Sequence, residues 1–380
     1  MQRGNKKSVM NRKKQALPYT LPDEFQAFNF AAELLHWYDT QKRDLPWRLN
    51  RDAYRVWVSE IMLQQTRVET VKPYYQNFMR KFPTVEALAD APEEEVLKAW
   101  EGLGYYSRAR NLQTAAKEVK ATYGGTVPNT PEEISKLKGV GPYTAGAILS
   151  IAYEVPVPAV DGNVMRVFSR LLLMDDDIAK PATRKKLEHL VQQVIPVGRA
   201  GDFNQAIMEL GALICLPKNP QCLTCPVFDF CLARQEGVQD TLPVKGKAKP
   251  PRPVSLLAAV VKKGDQVLIR KRPAQGLLAG LWEFPMLEDL SIEDDEELLI
   301  TALEKEYGIA TTAHSYLMNV QHTFSHLHWD VEVYVLQYED GELFSEDVRF
   351  VSHEEIRKYA FPVLHNKIID QIYPVKDNGN

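Results

Sequence analysis

The four cysteines of this chain lie in one short segment, and their spacing constrains the fold more than any other feature of the sequence. They are Cys215, Cys222, Cys225 and Cys231, separated by six, two and five residues. A disulfide framework spreads its cysteines along the chain, whereas four thiolates this close together can surround one metal centre. A four-cysteine zinc site and an iron–sulfur cluster both fit, and zinc is the commoner occupant in general.

Charge and hydrophobic pattern divide the 380 residues near position 250. Residues 1–250 contain 34 Lys and Arg against 28 Asp and Glu, whereas residues 251–380 contain 12 against 22. A basic first part can approach phosphates, although the whole chain carries a net charge of −4. Helical spacing of apolar residues dominates the first part, and strand-like alternation such as Val331, Val333 and Val335 appears in the second. The pattern predicts a mainly α region followed by an α+β domain.

Five segments are predicted from these changes along the chain. They are a basic, disordered tail (1–24), a helical domain (25–214), a metal-binding loop (215–237), a Pro- and Lys-rich linker (238–253) and an α+β domain (254–375). No apolar run approaches the ~18 residues that a membrane span needs, and the tail lacks the apolar core of a secretory signal. We expect a cytoplasmic monomer with no membrane partner.

A helix–turn–helix corner is predicted over residues 130–153. Thr130 and Glu133 match the capping box of a short helix that runs to Gly139. Gly139, Val140 and Gly141 then form a tight hairpin, after which the first amides of a second helix could bind a phosphate. The spacing fits a purely structural corner equally well.

Two carboxylates are candidates for acid–base chemistry. Asp161 stands where a helix to about Leu173 begins, so its simplest role is that of an N-cap, and the helix amides would keep it ionised. Glu60 shares a helix face with Leu63, Gln64 and Arg67, which also fits a surface glutamate beside an arginine. Cleavage of a glycosidic bond uses one carboxyl group as the acid and one carboxylate beside the sugar.

Several motifs together resemble one family. Residues 44–116, which include LPWR, WVSEIMLQQT and GLGYYSRARNL, and the hairpin LKGVGPYTAGAI resemble the MutY adenine DNA glycosylases of the helix-hairpin-helix superfamily that contains endonuclease III. The resemblance extends over nearly all of residues 25–370. It implies a [4Fe–4S] cluster on the four cysteines, and excision of adenine mispaired with 8-oxoguanine or guanine in double-stranded DNA.

The resemblance also implies a role for each matching residue. Glu60 would be the general acid at adenine N7, and Asp161 would stabilise or transiently bond C1′ with Tyr143 in support. Gln65 and Tyr105, the intercalating residues, would fill the gap left by the extruded base. Further contacts with base or DNA would come from Trp47, Arg48, Leu63, Thr66, Gln205, Gly139, Val140 and Gly141. Trp47 and Tyr105, taken singly, also fit a hydrophobic core.

Tyr143 bears on the type of reaction. Strand-cleaving relatives carry a lysine there, whose amine can form a Schiff base with the opened sugar, and a phenol cannot. The resemblance therefore implies base removal without efficient strand cleavage. An endonuclease III-like glycosylase/lyase and a non-catalytic iron–sulfur DNA-binding protein stay open as alternatives.

The last domain resembles a Nudix fold of the MutT kind, beginning at GLWEFP (280–285). Its stretch TALEKEYG (301–308) lacks the expected Arg-Glu pair and has Lys305 in place of a metal-binding glutamate, so we predict no pyrophosphohydrolase activity. Phe324, Ser325 and His326 resemble the loop with which MutY proteins recognise 8-oxoguanine, Ser325 being the polar reader. A histidine-bearing turn beside a strand is the other explanation.

Overall fold

The computed structural model describes residues 19–246, 249–288 and 295–374. Its first part is helical, with α1 (Ala27–Gln41), α2 (Ala53–Leu63), α3 (Val68–Lys81), α4 (Val85–Asp90), α5 (Glu93–Ala99), α6 (Ser107–Tyr123), α7 (Pro131–Ile134), α8 (Pro142–Tyr153), α9 (Gly162–Leu171), α10 (Pro181–Gln192), α11 (Ala200–Leu213) and α12 (Leu232–Gln235). Single turns of 3₁₀ helix occupy Pro46–Arg48, Cys222–Thr224, Phe228–Phe230 and Gln239–Thr241.

The second part is α+β, as predicted. Its elements are β1 (Arg252–Lys263), β2 (Gln266–Lys271), β3 (Trp282–Glu283), β4 (Met286–Glu288), α13 (Asp295–Tyr307), β5 (Ile309–Thr323), β6 (Leu327–Gly341), β7 (Val348–Ser352), α14 (His353–Ile356) and α15 (Val363–Ile372). Most of the tail predicted over 1–24, and Lys247 and Ala248 of the predicted linker, lie outside the described residues. None of the helices in the described ranges has the length and apolarity that a membrane crossing requires.

The chain forms two compact units, and each unit combines two stretches of sequence. Among the described residues, unit 1 contains 19–42 and Leu149–Gly246, and unit 2 contains Arg43–Ile148 and those after Gly246. The core of unit 1 is made by α1, α9, α10 and α11. It includes the fully buried side chains of Phe30, Leu34, Phe168, Leu187, Phe203 and Leu210. Apolar residues at helical spacing on each of these helices account for this core.

The helical half of unit 2 packs around α2. Trp57 of α2, Phe78 of α3 and Trp100 after α5 are fully buried, and the rings of Phe78 and Trp100 meet edge to face at 5.8 Å. The hydroxyl of Tyr54 donates to the carbonyl of Phe82 at 2.8 Å. Every residue of α2 from Val56 to Met62 is buried, so this helix has no solvent-exposed face over that span.

The sheet of unit 2 lies between two layers of helix. Its strand order is β3-β2-β1-β6-β5, with β4 beside β1 and β7 beside β2, and the long β1–β6 pair is parallel. Alternate residues of β1 face opposite sides: Val254, Leu256, Ala258 and Val260 belong to the cluster with α15, whereas Leu257, Ala259 and Val261 belong to the cluster with α13. This period of two is what an extended strand dictates.

Candidate functional site

Glu60 lies near the end of the buried helix α2. The carboxylate of Asp52 begins that helix by accepting a hydrogen bond from the backbone N–H of Arg55 at 2.8 Å. Only 6% of Glu60 is exposed, and the hydroxyl of Tyr143 donates to its Oε2 at 2.5 Å. Burial makes an unpaired carboxyl group costly, so this bond helps to fix the position of Glu60. A solvated surface glutamate is therefore excluded.

Helix α2 ends earlier than its sequence pattern predicts. Its last residue is Leu63, and Gln65 has a φ of +58°, in the left-handed region. Arg67 is consequently the N-cap of α3 and does not continue the helix face of Glu60, so that part of the prediction is wrong. Positive φ is uncommon outside glycine and ends a helix, which apolar spacing alone could not indicate.

The two predicted intercalating residues share one backbone property. Tyr105, like Gln65, has a positive φ, of +47°. Both side chains are exposed, Tyr105 to 48%. Strained backbone at exposed loop positions is typical of functional sites. Tyr105 is therefore not a residue of the hydrophobic core, which was the alternative that the sequence allowed. Thr66, the next residue after Gln65, is half-buried.

Trp47 and Arg48 sit on a single 3₁₀ turn in unit 2. Trp47 is 7% exposed and its ring meets that of Tyr75 edge to face at 5.4 Å, so it has the core position that the sequence left open for it. The Nη1 of Arg48 donates to the carbonyl of Arg43 at 3.0 Å. Their predicted role in a base pocket stays a prediction.

The predicted hairpin is present, with a shorter first helix. Helix α7 ends at Ile134 instead of reaching Gly139, and Thr130 caps it as expected. Gly139 has a φ of +80°, and a Cβ there would lie 2.8 Å from the Cβ of Asn111. Gly141 is exposed without positive φ, and Val140 between them is buried. Only the start of α8 is exposed, at Gly141 and Pro142. Pro142 has no N–H, so the neighbouring N–H groups of Gly141 and Tyr143 are the ones that suit an anion.

Asp161 is the N-cap of α9, as predicted. Its Oδ1 accepts from the backbone N–H of Val164 at 2.8 Å, and its Oδ2 accepts from Nδ2 of Asn163 at 2.8 Å. Burial raises the pKa of Asp161 above its usual value, while these N–H donors and the charge of Arg166 act in the opposite direction. The expectation of an ionised group rests on these donors.

A chain of hydrogen bonds connects Asp161 with the cysteine loop inside unit 1. Asn163, which donates to Asp161, accepts from Nη2 of Arg166 at 2.9 Å. Arg166 in turn donates through Nε to the carbonyl of Cys215 at 2.8 Å. Neither residue is predicted from the sequence, although a polar residue and an arginine at this spacing after Asp161 in a largely apolar helix are a usable signal.

The segment before Asp161 is held by hydrogen bonds from α10 and α11. The side-chain amide of Asn204 accepts from the N–H of Ala159 at 3.1 Å and donates to the carbonyl of Val157 at 2.9 Å. The carbonyl of Val160 accepts from Nη2 of Arg184 at 2.6 Å. These contacts place the carboxylate of Asp161 with little backbone freedom. The neighbouring Gln205, a predicted pocket residue, donates to the carbonyl of Gly201 at 3.3 Å.

The four cysteines line one small cavity, together with Arg170 and Phe228. None of the four is in a disulfide, and the Nη1 of Arg170 donates to Sγ of Cys215 at 3.3 Å. Among the described residues, no three His, Cys, Asp or Glu side chains are grouped as a single metal ion would require. Four cysteines around one cavity supply the thiolate donor set that either a zinc ion or an iron–sulfur cluster requires.

The predicted lesion-reading residues form the turn between β5 and β6. Ser325 and His326 are exposed, and Phe324 packs edge to face against Trp329 at 4.8 Å. The backbone N–H of Phe324 donates to the carbonyl of Leu327 at 2.7 Å, which closes the turn. Within unit 2, the hydroxyls of Ser325 and Tyr105 are 2.9 Å apart and share a hydrogen bond.

A buried ion group anchors the sheet of the same domain. Glu283 of the GLWEFP motif is fully buried and accepts from Arg270 at 2.8 Å and from Arg272 at 2.5 Å. Arg270 also lies 3.8 Å from Glu306, a carboxylate of the Nudix-like stretch that contains Lys305. The motif here supports the fold, and the predicted lack of pyrophosphohydrolase activity stays a prediction.

Three family models match successive parts of the chain. Residues 58–193 match the HhH-GPD superfamily base excision DNA repair protein, residues 215–231 match the iron–sulfur binding domain of endonuclease III, and residues 257–371 match the NUDIX domain. Their order is the order of the helical domain, the cysteine loop and the α+β domain.

Proteins of known function are similar over most of the length. The adenine DNA glycosylase of Homo sapiens is 41% identical over 412 residues, which cover 92% of this chain and 75% of the human protein. That of Rattus norvegicus is 39% identical and covers 89% of this chain and 77% of its own length. That of Buchnera aphidicola (subsp. Acyrthosiphon pisum) is 35% identical, with 78% of this chain and 83% of the relative covered.

Proposed function

The chain belongs to the adenine DNA glycosylase family, and we propose that the adenine it removes is the one mispaired with 8-oxoguanine or guanine. Membership makes it a DNA N-glycosylase of base excision repair that acts on DNA. Its four cysteines carry a [4Fe–4S] cluster. When bound, the cluster would hold together the loop of Cys215, whose carbonyl accepts from Nε of Arg166 on the helix that Asp161 begins.

The acid in this proposal is Glu60. Rupture of the bond between sugar and adenine requires a proton on the departing base. A buried carboxyl group whose Oε2 is fixed by the hydroxyl of Tyr143 is suited to deliver a proton to a base that has left the helix. Tyr143 has no amine with which to form a Schiff base, so the proposed product is an abasic site in an intact strand.

The anion in this proposal is Asp161. Loss of adenine leaves positive charge on the sugar, and a fixed carboxylate beside C1′ stabilises that charge. The N–H donors of Val164 and Asn163 support the ionised form against the effect of burial. The hydrogen bonds to Ala159 and Val160 keep the carboxylate in place before substrate arrives.

The observation that carries the proposed specificity is the hydrogen bond between Tyr105 and Ser325. It places the exposed polar turn of the Nudix-like domain beside a residue proposed to enter the base stack. A serine hydroxyl can donate and accept, which suits the Hoogsteen edge by which 8-oxoguanine differs from guanine. One chain supplies the acid, the anion and the reader, so we propose that it acts as a monomer.

The proposal is tested with four duplexes that carry one adenine opposite 8-oxoguanine, guanine, cytosine or thymine. We expect free adenine and an alkali-labile site from the first two, with the 8-oxoguanine duplex fastest. Ser325→Ala should lower the rate ratio between 8-oxoguanine and guanine by about tenfold, from the loss of one hydrogen bond. Ser345→Ala, on another loop of the domain, should leave the ratio unchanged.

Equal rates on all four duplexes would contradict the proposed substrate. A strand break without alkali would instead favour the glycosylase/lyase alternative. An unchanged ratio in Ser325→Ala would remove that hydroxyl from lesion recognition while leaving adenine release itself untouched.

A further inference from the structure

One arginine of unit 2 bonds to two separate loops, and the mechanism above does not use it. Arg108 lies in the first turn of α6 and is partly buried. Its guanidinium has six hydrogen-bond partners, five of them backbone carbonyls. They are the carbonyls of Ile61, Met62, Gln64, Leu103 and Gly104, at 2.7–3.1 Å, and the hydroxyl of Thr66, at 3.4 Å.

The two terminal nitrogens divide the five backbone carbonyls by loop, whereas the longer bond of Nη2 to the hydroxyl of Thr66 returns to the first loop. Nη1 donates to the carbonyls at the end of α2, of which that of Gln64 is the closest at 2.7 Å. Nη2 donates to the carbonyls of Leu103 and Gly104, in the other loop. A planar guanidinium holds two groups of acceptors at a fixed separation, which a lysine ammonium cannot do.

Each loop is held at the peptide just before its positive-φ residue. The carbonyl of Gln64 precedes Gln65, and the carbonyl of Gly104 precedes Tyr105. A non-glycine residue in the left-handed region costs free energy and persists only where its surroundings impose that conformation. The guanidinium also lies 5.8 Å from the ring of Tyr105 itself.

The partners of Arg108 supply no balancing charge. None of the six acceptors is a carboxylate, and burial lowers the pKa of this guanidinium to about 10, which still leaves it charged at neutral pH. A charge surrounded only by carbonyl dipoles is costly to bury, and within the described part of the chain Nε of Arg108 is buried without a hydrogen-bond partner. The N–H groups of the two terminal nitrogens of Arg108 all bond to the two loops and to the end of α2.

We propose that Arg108 is a positioning residue that sets Gln65 and Tyr105 for entry into the base stack, so that extrusion of adenine depends on it. This inference rests on the proposed function, in which these two side chains occupy the duplex. Because Arg108 also bonds to the carbonyls of Ile61 and Met62, the loops keep a constant position relative to the helix of Glu60.

The variant Arg108→Lys keeps the positive charge but loses the planar pair of terminal nitrogens that bonds both loops. It is used to measure extrusion of the adenine separately from cleavage of the glycosidic bond. Adenine release is measured in single turnover on an 8-oxoguanine:adenine duplex. Extrusion is measured by the fluorescence of 2-aminopurine in place of that adenine, in a Glu60→Gln background. We expect release to fall about thirtyfold, from the loss of two or more hydrogen bonds. The fluorescence should fall nearly to that of the free duplex.

Lys117→Ala, an exposed position on the same helix, serves as the control and should change neither quantity. If Arg108→Lys does not fold, Arg108→Gln, which keeps a planar donor group, is measured in the same way. Slower release with unchanged 2-aminopurine fluorescence would overturn the inference, as would wild-type values of both. If the unaltered protein released no adenine from this duplex, the proposed function would fail, whatever Arg108 does.

Discussion

Glu60→Gln should lower the single-turnover rate of adenine release by about a thousandfold, because a general acid contributes on this scale. Glutamine has the shape of glutamate and keeps a carbonyl oxygen that can accept from the hydroxyl of Tyr143, so the buried helix should be retained. What it cannot do is give a proton to the departing base. The affinity for an 8-oxoguanine:adenine duplex, measured by fluorescence anisotropy, should stay within about threefold of the unaltered protein, a change of less than ~1 kcal/mol.

Two further variants show whether the loss of rate comes from the carboxyl group of Glu60 itself. Tyr143→Phe removes the hydrogen bond to Oε2 and should cost about tenfold in the same rate. Glu69→Gln changes an exposed glutamate that pairs with Lys72 and should be indistinguishable from the unaltered protein. Adenine release by Glu60→Gln within tenfold of normal, at full occupancy of the duplex, would show that the proton comes from another group.

Asp161→Asn should reduce adenine release by a factor of about 10²–10³, because it removes the negative charge proposed to stabilise the developing cation. Asparagine is as good an N-cap as aspartate, so it can still accept from the N–H of Val164 and begin α9. The unaltered enzyme should lose activity as the pH falls through the pKa of Asp161. Since burial raises this pKa, that loss begins at a higher pH than for an ordinary aspartate.

The matched control is Asp52→Asn, which makes the same substitution at the N-cap of α2. Both variants keep a cap and lose one charge, but only the change at position 161 should affect the rate. If the two variants released adenine equally fast, Asp161 would be a structural cap and nothing more.

Features that depend on neighbouring residues could be predicted from the sequence. The N-caps at Asp161 and Thr130, the alternation of Val331, Val333 and Val335 along β6 and the convergence of the four cysteines follow from local spacing, and all are present. The capping box expected at Thr130 is only half formed, because Glu133 accepts from the hydroxyl of Thr130. The NUDIX match confirms the fold expected from GLWEFP. The match of residues 215–231 likewise confirms the iron–sulfur loop.

What could not be predicted depends on contacts between distant segments. The end of α2 at Leu63 reflects a left-handed residue held by Arg108, 44 residues further along the chain from Gln64. The contact of Asn204 also joins distant segments, because its side-chain amide accepts from the N–H of Ala159, 45 residues earlier in the chain. The sequence identifies Glu283 only as a residue of the GLWEFP motif. Its burial and its ion pairs with Arg270 and Arg272 depend on how β2 and β3 pair in the sheet, which local spacing does not indicate.

A structure of the Glu60→Gln variant bound to a duplex with one 8-oxoguanine:adenine pair would test the central claim most directly, because unit 2 carries Glu60 and unit 1 carries Asp161. We expect an adenosine outside the base stack. The side chain at position 60 should lie about 3 Å from a ring nitrogen of the base, and the carboxylate of Asp161 should lie beside C1′. An adenine still stacked in the duplex, or one extruded into a cavity that lacks either side chain, would contradict it.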